Sequence, residues 1–106
     1  MKGSNIGFAL YERGEEPGTL DARWSYENAY GGTGRATGGP EQGFAGQYHI
    51  RYYHESGEFS DEYDLQIGRN GDLYDVTWLV DAEARAVGVG MEVGDRLAVG
   101  WRKVAE

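Results

Sequence analysis

Apolar and polar residues alternate along most of this chain with a period of two, the pattern of half-buried β-strands. The clearest stretch is residues 61–80, where two alternating runs flank Asn70-Gly71. Asn-Gly is typical of a two-residue type I′ turn, because both central positions of that turn need a positive φ. The pattern predicts a hairpin that turns at these two residues and pairs Tyr63 directly with Trp78 on its dry side.

The same alternation predicts strands on both sides of this hairpin, joined by short turns rich in glycine. Each strand has one set of residues expected to face inward: Ile6, Phe8 and Leu10; Leu20, Ala22, Trp24 and Tyr26; Gly34 and Ala36; Gly46, Tyr48, Ile50, Tyr52 and His54; Asp61, Tyr63, Leu65 and Ile67; Tyr74, Val76, Trp78 and Val80; Arg85, Val87 and Val89; Leu97, Val99 and Trp101. No window has the apolar spacing and caps of an amphipathic helix.

About seven or eight antiparallel strands joined in sequence favour an all-β fold, a single small up-and-down β-barrel, since closure removes exposed strand edges. A two-sheet β-sandwich is the alternative. The expected barrel is similar in shape to the calycin barrels of lipocalins and avidins. The lipocalin Gly-x-Trp start is absent because Gly18 and Trp24 lie too far apart, so no family is assigned. A barrel of eight strands is either packed solid or holds one small ligand.

With 106 residues the chain is interpreted as one domain over residues 1–106, with residues 1–4 a tag or a disordered terminus. The sequence contains no cysteine, which excludes disulfides, thiol nucleophiles and cysteine-ligated metals. It also has no long apolar segment of the kind that leads a protein into or across a membrane. We therefore expect a soluble, cytoplasmic protein.

Charge and histidine content exclude several partners and cofactors. Eighteen acidic against ten basic residues give a net charge of −8, which disfavours nucleic acid and anionic membranes as partners and is interpreted as an aid to solubility. The two histidines, His49 and His54, fall on opposite strand faces, so no metal site is expected. Residues 32–37 lack the third glycine of a dinucleotide fingerprint and the Gly-Lys-Ser/Thr ending of a phosphate loop, so no cofactor is expected.

Chemistry-bearing residues are expected at one end of the barrel. Meander topology sends alternate turns to opposite ends, and the inward positions near one end include all three tryptophans. Aromatic walls with a few polar groups are typical of small-ligand sites. The predicted ligand-binding residues are Trp24, Tyr26, Tyr52, Tyr63, Trp78 and Trp101.

Three polar residues, His54, Asp61 and Arg85, are predicted at the same end. If the protein is an enzyme, Asp61 oriented by Arg85 would hold His54 in one tautomer as a general acid and base. The alternative is that these residues have no function and simply lie at the solvent-exposed rim of the barrel. Polar side chains at strand ends stay solvated, so placing them there costs no desolvation free energy.

Three functions remain open from the sequence. The first is binding of an apolar or aromatic small molecule in the aromatic end of the barrel. The second is an enzyme of cyclase, isomerase or hydrolase type on the same scaffold. The third is a packed barrel that serves as an interaction or assembly module, with a homo-oligomer formed through outer strand faces bearing Leu73, Leu79, Tyr53 and His49.

Overall fold

The computed structural model describes residues 4–104 as eight strands and no helix. The strands are β1 (Gly7–Arg13), β2 (Leu20–Tyr26), β3 (Tyr30–Thr37), β4 (Gly46–His54), β5 (Phe59–Asn70), β6 (Leu73–Val80), β7 (Glu83–Val93) and β8 (Arg96–Lys103). Each strand pairs antiparallel with the next, and β8 pairs with β1 to close the ring. The predicted up-and-down barrel is confirmed, and the two-sheet sandwich is wrong.

Of the terminal residues interpreted as a tag or disordered, 1–3 lie outside the described residues. No helix that could cross a membrane occurs between residues 4 and 104.

One end of the barrel is closed by the long loop between β3 and β4. Phe44 from this loop is buried in the core, and the Tyr48 hydroxyl donates to its carbonyl oxygen at 2.9 Å. The Arg13 guanidinium donates to the carbonyls of Pro40, Glu41 and Gly43 at 2.6–2.9 Å and so fixes the loop over the end of β1. The inner space therefore opens to solvent at the opposite end.

The middle of the barrel is filled by close-packed side chains, as expected for a small barrel. The largest fully buried side chains are Tyr11, Leu20, Ile50, Leu65, Leu97, Val76 and Val99. Six of these seven residues belong to the sets predicted to face inward, and Tyr11 does not. A turn at Ser56-Gly57 predicts the β4–β5 pairs His54 with Phe59, Tyr52 with Asp61 and Tyr48 with Leu65. The last two pairs are confirmed, whereas Phe59 lies opposite Tyr53.

The hairpin between β5 and β6 turns one residue later than predicted. Its two-residue loop is Gly71-Asp72, with Asn70 opposite Leu73. Gly71 has a φ of 64°, and it stands at the first central position, the place that type II′ turns give to glycine. The direct pairing of Tyr63 with Trp78 is therefore wrong, since Trp78 lies opposite Leu65. The displacement is two residues, an even number, so both side chains still face inward.

The inward face predicted for β1 is wrong. Phe8 is 51% exposed, whereas Ala9 and Tyr11 are buried. Gly7 explains the choice of face, because the Trp101 ring occupies the space that a Cβ at Gly7 would need. The strand therefore points its smallest residues and Tyr11 into the barrel and leaves Phe8 outside.

The inward face predicted for β7 is also wrong. Leu79 pairs with Ala84 and Trp78 with Ala86, so Arg85 is the extra residue of a β-bulge. The extra residue shifts the strand by one position relative to the predicted register, so the side chains after it point to the opposite face. Val89, predicted to face inward, is 63% exposed. The sequence Glu92-Val93-Gly94 predicts a three-residue loop after β7, but the loop consists of residues 94 and 95 alone.

Candidate functional site

The open end of the barrel contains a cavity of about 1090 Å³, wide at its mouth. All six aromatic residues predicted to bind a ligand line it: Trp24, Tyr26, Tyr52, Tyr63, Trp78 and Trp101. We call this set the aromatic cup. Its members come from β2, β4, β5, β6 and β8, so they surround the cavity on several sides.

The rings of the aromatic cup pack against one another at fixed angles. Tyr26 stacks on Trp101 with 5.1 Å between ring centres and 14° between planes, and Trp78 lies 5.9 Å from Trp101. Trp24 meets Tyr52 edge to face at 6.2 Å. Such contacts add to the stability gained from buried area, and they hold the walls in a defined shape.

The floor of the aromatic cup is a buried chain of polar atoms. The Trp78 indole N–H donates to the Tyr52 hydroxyl at 2.7 Å, and the hydroxyls of Tyr52 and Tyr11 share a hydrogen bond of 2.8 Å. Burial raises the pKa of Tyr11, and burial followed by the neighbouring Tyr11 raises the pKa of Tyr52. Both phenols therefore stay neutral near physiological pH. The chain fixes the ring positions at the floor and leaves no buried polar side-chain atom unpaired among residues 4–104.

One wall of the aromatic cup carries a carboxylate. The Tyr63 hydroxyl donates to Asp61 at 2.5 Å. Partial burial, and after it the hydrogen bond and the charge of Asp61, raise the pKa of Tyr63. The phenol therefore remains a donor, and Asp61 keeps oxygen lone pairs free to accept a bond from a ligand.

The three residues predicted as catalytic line this cavity, but the structure does not join them. In the described part of the chain no hydrogen bond links the side chains of His54, Asp61 and Arg85. His54 is exposed at the rim, where its backbone N–H bonds to Glu58 in the β4–β5 turn. Arg85 instead lies 3.5 Å from the exposed carboxylate of Glu83.

A second β-bulge lies between Asp61 and the turn that follows β4. Tyr52 pairs with Asp61 and Tyr53 with Phe59, so Ser60 is the extra residue and the predicted pairing of His54 with Phe59 is wrong. His54 is the last residue of β4, lies opposite Gly32 of β3 and lines the mouth of the cavity. Its ring is tilted toward Trp24, 6.2 Å away between ring centres.

Three residues at this end were not predicted from the sequence. Tyr11 in the floor was assigned to the outer face of β1. Asn5 accepts from the Tyr26 hydroxyl at 2.8 Å and from the Lys103 backbone at 3.0 Å, so it ties the ends of three strands together. Lys103 places its ammonium 4.5 Å from the centre of the Tyr26 ring. Lys103 follows Trp101 by two positions, so the alternation along β8 could have identified it, whereas no local signal marked Asn5.

No group of three or more histidine, cysteine, aspartate or glutamate side chains between residues 4 and 104 could hold a metal ion. The chain matches no protein-family model, no curated protein and no solved structure. A small closed β-barrel with an aromatic-lined open end is thus the class that the fold and the site define.

Proposed function

We propose that this protein binds an apolar or aromatic small molecule in the aromatic cup. The observation that carries the proposal is the cavity of about 1090 Å³ that all three tryptophans line without filling it. Ligand sites in proteins commonly enclose about 300–1,000 Å³ with mostly apolar walls. The space is therefore large enough for one small organic molecule.

The division of the barrel into a packed middle and an open end supports this proposal. The polar edges of Trp78 and Tyr52 are satisfied by each other, so the floor presents apolar ring surface rather than unpaired donors. Asp61 and Tyr63 form the polar spot on the wall that would fix the orientation of a bound ligand. Burying a flat apolar molecule against these rings would gain roughly 25 cal/mol for each Å² removed from water.

Ligand binding can be tested by titrating the protein with a panel of aromatic and lipid-like molecules while its tryptophan fluorescence is recorded. We expect a saturable change for at least one compound class. An A86F variant should weaken that binding at least about tenfold, since Ala86 lines the cavity opposite the inward-facing Trp78 and a phenyl group there would obstruct it. The matched control is T33F, which adds the same ring to an exposed outer position of β3.

Two outcomes would contradict the proposal. One is a panel that leaves the fluorescence unchanged at every concentration. The other is binding that A86F and T33F weaken equally, because the ligand would then sit outside the aromatic cup.

A second candidate function, an enzyme on the same scaffold, is favoured by one observation. Asp61 lies at the cavity wall with a phenol donor 2.5 Å away, an arrangement that could remove a proton from a bound substrate and steady the resulting charge. The absence of a bond between His54 and Asp61 makes simple binding the better supported function. If a bound compound is converted, D61N should abolish turnover and keep binding, whereas equal turnover in D61N would exclude Asp61 as the base.

A further inference from the structure

The outer surface of the barrel has two unlike halves. Across β2 to β5 it carries ion pairs, with Arg35 3.6 Å from Asp21 and with Arg51 and His49 within 3.0 Å of Glu62. Across β6, β7, β8 and β1 the outward positions are mainly apolar. Leu73, predicted to lie outside, belongs to this second half and is 49% exposed.

Strand register joins these apolar residues into one surface. Leu10 pairs with Ala98, Ala98 with Met91, and Met91 with Leu73, which makes an unbroken row across four strands. The neighbouring row contains Phe8, Gly100 and Val89 in adjacent strands. We call these two rows the apolar face. Strands lie about 4.8 Å apart, and the two rows with their side chains cover roughly 400 Å².

We propose that the apolar face is the interface through which two copies of this chain form a dimer. An apolar patch of this size equals the largest that monomers usually expose, about 300–600 Å². It also matches the apolar centre of an interface that buries about 800 Å² on each partner. Polar residues border it, with Glu12 and Arg96 beyond one row and Arg102 beyond the other.

The shape of the apolar face fits a second copy of itself. Gly100 is open, with nothing near the space a side chain would take, and Phe8 projects directly beside it. A projection and a hollow side by side are self-complementary in a twofold interface, because each copy offers both. Phe8 of one copy would then fill the hollow at Gly100 of its partner.

Charge agrees with this arrangement. Phe8 of each copy can lie over Gly100 of the other only if the twofold axis runs along the strands between β1 and β8, so the β8 strands of the two copies are parallel. Glu12 pairs with Arg96 in the same ladder, so this axis also places Glu12 of one copy over the oppositely charged Arg96 of its partner. Because each chain carries a net charge of −8, the copies repel at long range, and added salt should therefore tighten the dimer by screening this repulsion.

The proposal can be tested by sedimentation velocity and light scattering over a wide range of protein concentration. We expect the wild type to reach twice the 11.7 kDa chain mass and to associate more tightly in high salt. A V89K variant should raise the dimer dissociation constant at least about tenfold, since it places an unpaired charge in the interface. The control Q66K adds the same charge to an exposed position of β5, away from the apolar face, and should associate as the wild type does.

The proposal is overturned if the wild type stays monomeric at every concentration, which would leave a different protein as the partner of this face. It is equally overturned if V89K and Q66K associate alike. Circular dichroism of both variants shows that the barrel is folded, so that loss of association reports the interface. The test uses no ligand, and its outcome is therefore independent of binding in the aromatic cup.

Discussion

Replacing Tyr52 by Phe should destabilise the barrel far more than the loss of one oxygen atom suggests. The Tyr52 hydroxyl accepts from the Trp78 indole N–H at 2.7 Å and shares a 2.8 Å hydrogen bond with Tyr11. All three residues are at most 7% exposed, so water cannot replace the lost partner. A buried donor left unpaired costs about 1–3 kcal/mol, and the second broken bond adds about 1 kcal/mol. We expect Y52F to lower the free energy of unfolding by about 2–4 kcal/mol.

The matched control for this change is Y11F. This change removes the Tyr11–Tyr52 hydrogen bond, while the Trp78 indole N–H keeps its acceptor on Tyr52. We therefore expect the free energy of unfolding to fall by about 1 kcal/mol. The double variant should lose less than the sum of the two single losses, because both single changes break the same Tyr11–Tyr52 bond.

Urea unfolding followed by tryptophan fluorescence measures these differences. With a slope near 1–2 kcal/mol/M, Y52F should lower the midpoint of unfolding by about 1–4 M. A Y52F midpoint equal to that of the wild type, or a larger loss in Y11F than in Y52F, would refute the account of the floor.

Three further predictions concern other parts of the barrel. G7A should displace the Trp101 ring, change the near-ultraviolet circular dichroism and cost about 1–3 kcal/mol. The control G68A, whose Cβ would meet only the Asp75 carbonyl oxygen at an ordinary 3.9 Å, should change neither the spectrum nor the stability, and an unchanged G7A spectrum would contradict the packing of Trp101. The free energy of unfolding should fall above about pH 10, because the folded state raises the pKa values of Tyr11, Tyr52 and Tyr63 and the unfolded chain loses these protons first. Urea unfolding measures this, and a constant free energy from pH 9 to 11 would refute it. R13A should speed amide hydrogen exchange in the loop over residues 38–45 while leaving the aromatic cup intact, because the Arg13 guanidinium donates three hydrogen bonds to loop carbonyls. Unchanged exchange would show that these three bonds do not hold the loop.

Alternation in the sequence was enough to predict the barrel and most of its inner surface. It failed where the chain departs from a strict period of two. The bulge at Arg85 reverses the face of β7, and a bulge of this kind has no reliable local signature.

The error in β1 has a different cause. Ile6, Phe8 and Leu10 are more apolar than Gly7, Ala9 and Tyr11, so pattern alone favours the wrong face. The Trp101 ring determines which face of β1 points inward, because it needs the space that Gly7 leaves. Trp101 lies 94 residues away from Gly7 in sequence, so no local pattern shows this contact. Close packing between distant strands is thus what the sequence could not reveal.

The residues of the candidate site were nevertheless predicted together, because an error of two residues in the β5–β6 register leaves each side chain on its original face. What could not be predicted was which polar atoms meet. Asp61 bonds to Tyr63 rather than to His54, which is the last residue of β4 and lies beyond the bulge that follows Tyr52.

Native mass spectrometry of the protein after incubation with a low-molecular-weight cell extract tests the proposed binding most directly. We predict a second species, heavier than the 11.7 kDa chain by one small molecule per chain, that disappears on denaturation. The same species should form with T33F and be lost with A86F, whose phenyl group would occupy the cavity. If the wild type carries only its own mass, or if A86F retains the added molecule as the wild type does, the aromatic cup is not a ligand site.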